Sequence, residues 1–209
     1  MDERVILGDV CVSEGAAWLA QYDARFEAAL AQTGPLPLRL KPEGFDQLLN
    51  AIIGQQVSVA SANAIWGRMV DLDLTTQDQI TQASDEDLRA AGLSQQKMRY
   101  ARALAAARID YDALREMPSE EVIKTLTQVT GIGQWTAEIY AMFSLGRADV
   151  FAYGDLALQE AAKVLLNLDE RPKEKQMRMI AADWSPWRSV AARVLWAYYR
   201  VVKSREGIR

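Results

Sequence analysis

An all-α fold is the expectation for this chain, and three observations lead to it. Half of its 209 residues are apolar, with Ala and Leu abundant and runs of β-branched residues scarce. Segment after segment repeats its apolar residues at the spacing of one helix face. Between the segments stand Gly and Pro breakers and Ser/Thr starts, which end one helix and open the next. The length suffices for one domain or two small lobes with a real core.

Residues 13–32 read as the first helix, with Ser13 as N-cap and Ala16, Leu19, Phe26 and Leu30 on one stripe. The glycine and prolines of residues 33–37 break it. Trp18 and Tyr22 read as packing residues of that helix, with a place in a ligand pocket as the alternative. Residues 43–70 hold two helical patterns that meet at Gly54-Gln55-Gln56-Val57-Ser58. Residues 72–93 are short and polar; Thr75-Thr76-Gln77 and Ser84-Asp85-Glu86-Asp87 are helix starts, and the acids there have no assigned chemistry. Gly92 to Lys97 opens a helix through Ala107. Lys97 has two readings, a phosphate contact and an ordinary exposed lysine.

Pro118 precedes a Ser119 N-cap and a helix over residues 120–126. A turn over residues 127–132 follows, ending in Gly131-Ile132-Gly133, and a second helix starts near Gln134 with Trp135, Ile139, Tyr140 and Phe143 at helical spacing. The glycines allow a tight turn and close approach of a ligand to the backbone. Unpaired amides and the positive end of the second helix make the turn a natural phosphate site. Beyond it, a short apolar run, Val150-Phe151-Ala152-Tyr153, leads through Gly154 to Asp155 at the head of another helix. Asp155 reads as an N-cap and as a reactive carboxylate. The two roles are compatible, because the helix dipole favours negative charge there. Three helices, over residues 156–166, 172–183 and 186–204, finish the chain. The last has Trp187, Val190, Val194, Leu195, Tyr198 and Val202 mostly on one face, with Trp196 off that stripe.

Composition excludes several classes. Cys11 is the only cysteine, so disulfides and any four-cysteine metal or iron–sulfur site are ruled out. No apolar run approaches the ~18 residues of a membrane span, and the charged MDER start is not a secretory leader. The expected setting is intracellular. The formal charge of −4 and pI near 5.0 run against a nucleic-acid binder. A hairpin that binds phosphate through amides needs few lysines, so a local basic face with salt-dependent affinity is expected instead.

Three segments in this order resemble the helix-hairpin-helix (HhH-GPD) DNA glycosylase superfamily, in its 3-methyladenine glycosylase II-like branch. They are the hairpin over Leu126 to Gly133, the Val150 to Asp155 segment, and Pro186-Trp187-Arg188-Ser189. The likeness spans residues 38–199. It implies an all-α, two-lobed fold with a cleft: residues 1–41 packing with the C-terminal lobe, a central lobe over 42–150 with the hairpin within 120–145, and residues 151–209 completing the second lobe. Relatives with an N-terminal β-rich domain exist, and none is expected ahead of the matching region here.

The resemblance also assigns roles. Asp155 becomes the catalytic carboxylate. Trp196, Tyr140, Ile139, Tyr153 and Trp135 become candidates for the pocket of the flipped base, and Gln56 the wedge that fills the gap in the base stack, with Gln55 supporting its loop. Gly131, Ile132, Gly133, Gln134, Trp135 and Thr136 would meet the DNA backbone. The carbonyls of Thr127, Val129 and Ile132 would hold a monovalent cation; no other cofactor is implied. Arg188 would pin its helix rather than touch substrate. Members that cleave the backbone carry a lysine where this chain has Trp135, and a Schiff base needs an amine, so monofunctional base removal is implied. The partner would be damaged duplex DNA, bound by a monomer. The readings that compete are a glycosylase for hypoxanthine or an oxidised purine, and a non-catalytic hairpin module.

Overall fold

The computed structural model describes residues 3–205. The fold is all-α: thirteen helices and, among the described residues, no strand, with one antiparallel bridge between Val5 and Arg147. Internal contacts divide the chain into two compact units, Met1–Leu40 with Ala141–Arg209, and Lys41–Tyr140. Residues 141–150, assigned to the central lobe from sequence, fall in the first of these.

The first unit holds α1 (Asp9–Tyr22), α2 (Ala24–Thr33), α11 (Leu156–Leu166), α12 (Glu174–Ala182) and α13 (Arg188–Arg205). The single helix expected over residues 13–32 is two. It starts earlier, at Asp9, and breaks at Asp23, whose extended backbone (φ −148, ψ 119) cannot continue a helix. The Asp23 carboxylate accepts the Arg25 amide at 2.9 Å and pairs with its guanidinium at 2.6 Å, which holds the Asp23 carboxyl below its ordinary range. The apolar stripe runs on across the break, so periodicity did not reveal it. α13 packs against α11, α2 and α1. Gly15 makes the last contact possible, since a Cβ there would lie 2.7 Å from Trp187 and Val190. Phe26 and Phe151 close on Trp184 at 5.4 and 5.6 Å to form the aromatic centre of this core. Trp18 and Tyr22 stack on each other at 5.4 Å, and Tyr22 is half exposed.

The second unit holds α3 (Phe45–Gly54), α4 (Val59–Asp71), α5 (Gln77–Gln82), α6 (Asp85–Ala90), α7 (Gln95–Ala107), α8 (Tyr111–Glu116), α9 (Ser119–Thr127) and the start of α10 (Gln134–Phe143). α3 is its central helix: Phe45, Leu48, Leu49, Ile52 and Ile53 are all buried, against α4 and α7. Capping boxes at Thr76 and Ser84 start the two short helices, each side chain bonding an amide three residues on. At α9, Pro118 holds the N-cap position and Ser119 is the first helical residue, a shift of one from the expected cap.

Candidate functional site

α9 and α10 flank a turn closed by its own backbone. Val129 N–H donates to the Leu126 carbonyl at 3.1 Å and Ile132 N–H to the Val129 carbonyl at 3.0 Å. Gly131 sits at φ 101, and a Cβ there would lie 2.4 Å from the Tyr100 ring. Conformation and close approach both require glycine. Ile132 is buried and anchors the turn, while Gly133 and Gln134 are exposed. The first bond of α10 runs from Ala137 N–H to the Gly133 carbonyl at 3.1 Å, so the amides before it point out of the positive helix end. That geometry suits an anion. Trp135, 48 % exposed, stands beside these amides, whereas the Thr136 side chain is buried and only its amide suits the role.

The α3–α4 loop lies in the same unit. Gln55 ends α3 in extended conformation, and its side chain donates to the Gly131 carbonyl at 2.9 Å. Gln56 is exposed and left-handed at φ 57, a conformation that costs a non-glycine residue ~1 kcal/mol. Ser58 then caps α4 by accepting the Ser61 amide at 3.1 Å. Gln56 is thus the outward tip between two fixed helix ends. Lys97 meets neither of its expected roles. It is buried, and its Nζ donates to the Ile53 carbonyl at 2.5 Å, closing the C-terminus of α3; burial lowers its pKa.

In the first unit, Val150, Phe151, Ala152 and Tyr153 are buried and form a fixed platform for Asp155. Asp155 N–H donates to the Ala152 carbonyl at 3.0 Å, and its Oδ1 accepts the Leu158 amide at 3.0 Å, the N-cap of α11. Buried Gln159 donates from its side chain to the Tyr153 carbonyl at 2.9 Å. The carboxylate itself is half-buried. Arg188, at the start of α13, reaches this segment. It meets Asp149 at 3.1 Å, off the angle of a good hydrogen bond, and donates to the Tyr153 hydroxyl at 3.1 Å.

The aromatic candidates separate into two kinds. Trp196 is half-buried, 5.8 Å from Phe143. Tyr153 is engaged within its own unit, with Arg178 over its face at 4.2 Å and Phe151 at 5.3 Å. Tyr140 is buried, and its hydroxyl accepts the Gly44 amide at 2.9 Å; burial pushes its pKa up to about 12. Ile139 is half-buried.

A family model described as "HhH-GPD superfamily base excision DNA repair protein" matches residues 49–186. The chain belongs to this superfamily. Among curated relatives, the DNA-3-methyladenine glycosylase 1 of Schizosaccharomyces pombe is 29% identical over 178 residues, 81% of this chain and 78% of that one. Among solved structures, a DNA-3-methyladenine glycosidase from Bacillus halodurans aligns with a TM-score of 0.81 at 32% identity, covering 100% of this chain and 96% of that one. A 3-methyladenine DNA glycosylase of Schizosaccharomyces pombe in complex with abasic DNA aligns at 0.74 and 27% identity, covering 88% and 95%.

Two features of this HhH-GPD protein go beyond the reading of the sequence, which gave Gln55 only as a support of its loop and Arg193 no role. The first is the Gln55 bond to Gly131, which joins the Gln56 loop to the hairpin turn. The second is Arg193, 1% exposed, which bonds the Leu38 and Ser189 carbonyls and stacks 4.7 Å from Phe143. A charged residue inside the apolar stripe of α13 was the available signal for Arg193. For the partner of Gln55 there was none, since its acceptor is a backbone carbonyl.

Proposed function

We propose that the chain is a monofunctional DNA glycosylase that hydrolyses the N-glycosidic bond of alkylated purines, of the 3-methyladenine and 7-methylguanine type, in duplex DNA. The observation that supports this most directly is Asp155, a half-buried carboxylate held at a helix N-terminus on a buried apolar platform, in a member of a base excision repair family. The names of the relatives supply the substrate class.

The hairpin amides near Gly133 and Gln134 seat a DNA phosphate, and the base turns out of the stack at a cost of a few kcal/mol, least for a damaged pair. Gln56, at the exposed tip of its loop, fills the gap through its amide plane. Trp196 offers the ring on which a flipped base stacks, with cation–π attraction to an alkylated, positively charged purine worth roughly 0.5–2 kcal/mol. Such a base is already a good leaving group, which fits a chain without histidine. Asp155 stabilises the oxocarbenium-like sugar and orients the attacking water. With Trp135 in place of a lysine, no amine is positioned to attack the sugar. The Thr127, Val129 and Ile132 carbonyls are the right donor type for a monovalent cation, and Val129 keeps a lone pair beyond the one used by Ile132 N–H. Bound there, a cation would add positive charge toward the phosphate.

The test is release of free bases from methylated duplex DNA, with wild type beside Asp155→Asn. Release of 3-methyladenine or 7-methylguanine by wild type, with loss of release but retained DNA binding in the variant, is expected. Equal release by Asp155→Asn would remove Asp155 from the reaction. DNA binding without release of any methylated base by wild type would leave a hairpin module or a different lesion.

A further inference from the structure

The first unit contains a group of arginines with no carboxylate among them. Acids outnumber bases in this chain, 28 to 24, so a guanidinium facing no acid is not forced by scarcity. Arg115, for example, meets both Glu43 and Asp112. Arg193 instead spends its donors on backbone and hydroxyl oxygens: Leu38 carbonyl at 2.9 and 3.2 Å, Ser189 carbonyl at 2.9 Å and Ser189 Oγ at 2.6 Å.

This buried fork ties the chain at Leu38 to the face of α13 that Arg193 occupies. The next residue, Arg39, is in left-handed conformation at φ 55, which a non-glycine residue rarely adopts. Arg200 lies two turns along α13 from Arg193, on the same face, with Trp196 between them at helical spacing. Arg39 and Arg200 are both exposed, and neither has a carboxylate partner among the described residues. The Arg39 guanidinium is held below its ordinary range by burial and then by Arg200, and Arg193 is pushed down to about 10 by burial and then by Arg39. A left-handed residue and exposed guanidinium groups that face no carboxylate, in a chain rich in acids, make a poor arrangement for stability alone. It suits a polyanion.

We propose that Arg39 and Arg200 form a clamp for one phosphodiester of the DNA backbone, a second phosphate site built from residues outside the hairpin. Two guanidinium forks match the oxygens of a phosphate in a way that a single lysine does not. Arg200 stands one turn beyond Trp196, so the clamped phosphate would flank the nucleotide whose base stacks on that ring. The proposal rests on the DNA glycosylase reading above.

The experiment measures binding of a fluorescent duplex against salt concentration for wild type, the double variant Arg39→Gln with Arg200→Gln, and the double lysine variant, together with thermal melting. Loss of one phosphate contact makes the slope of log K against log salt shallower by about 0.9. That change is expected in the glutamine variant, with a Tm equal to or above that of wild type because a repulsion has gone. The lysine variant keeps the slope. An unchanged slope overturns the clamp, and so does a lowered Tm in the glutamine variant, which would make the pair structural. Inorganic phosphate is the control ligand: stabilisation of wild type by free phosphate with an unchanged DNA slope would assign the arginines to a free anion and overturn the backbone site. Wild type that fails to bind DNA at all would count against the glycosylase reading, whereas salt-sensitive binding with identical variants counts against the clamp alone.

Discussion

Gln55 and Gly131 are joined by one hydrogen bond, from the glutamine side-chain amide to the glycine carbonyl at 2.9 Å. The bond couples the loop that presents Gln56 to the turn that presents the hairpin amides. Lys97 fixes the same flank of that loop by closing α3 at the Ile53 carbonyl, and the Ser58 cap of α4 fixes the other. Gln56 is therefore held relative to the hairpin turn, with its left-handed backbone between two fixed flanks.

Replacing Gln55 by Leu keeps the volume and removes the bond. Excision from a fully paired duplex is expected to fall roughly fivefold to tenfold, the rate equivalent of one hydrogen bond of about 1 kcal/mol. Binding of undamaged duplex should change little, because the hairpin amides remain. Single-turnover rates on a lesion opposite an abasic site check the cause, since that substrate needs less unstacking and should recover most of the loss. An equal defect on both substrates would mean that Gln55 does not act through the Gln56 loop.

Gly131→Ala is expected to damage the turn twice. Its φ of 101 is costly for any residue with a Cβ, and that Cβ would sit 2.4 Å from the Tyr100 ring. The combined cost is about 1–3 kcal/mol of stability. Chemical denaturation measures it directly, and a duplex-binding titration should show weakened affinity even where the variant remains folded. Gly133→Ala is the control for stability alone, because its Cβ would meet nothing within 4 Å of the protein.

These contacts also show what was legible in the sequence. The hairpin glycines and the Asp155 cap were readable because a tight turn and an N-cap are local chemistry, set by residues within a few positions. The bonds that hold the candidate site were not. Gln55 reaches across 76 positions, Lys97 across 44 and Arg193 across 155, and each ends on a backbone carbonyl, which every residue type possesses. Lys97 looked like a surface lysine because nothing in its neighbours announced that α3 would end beside it. The break at Asp23 escaped for a different reason: the apolar stripe continues in register on both sides, so only the extended backbone of one residue separates α1 from α2.

Tyr111 holds a buried hydroxyl with no hydrogen-bond partner among the described residues. Burial first, and then Tyr140 and Asp46, push its pKa upward, so the neutral phenol is strongly favoured. A buried polar group without a partner lowers stability, and its removal with the ring retained should restore it. Tyr111→Phe is expected to raise stability by about 1 kcal/mol, read as a shift in the denaturation midpoint at constant m-value. A lowered midpoint would mean that the hydroxyl has a partner in solution, such as an ordered water.

Tyr140 makes the opposite case, because its hydroxyl is used. It accepts the Gly44 amide ahead of α3, and burial raises its pKa from 10.0 to about 12. Tyr140→Phe should therefore cost about 1 kcal/mol near neutral pH, where the Gly44 amide loses its acceptor. The pH dependence follows from the direction of the shift. Between the ordinary tyrosine range and about pH 12 the unfolded chain releases the phenolic proton while the folded chain keeps it. The folded state then binds more protons, so stability from this group is fully present below pH 10.0 and is lost as pH rises through about 12. The variant lacks that loss. Denaturation measured from pH 9 upward should show the gap between wild type and Tyr140→Phe narrowing, with the other titrating groups common to both proteins. A gap that stays constant through this range would mean that the Tyr140 hydroxyl is not desolvated, and its bond to Gly44 would then be a solvent-exposed contact of little consequence for α3.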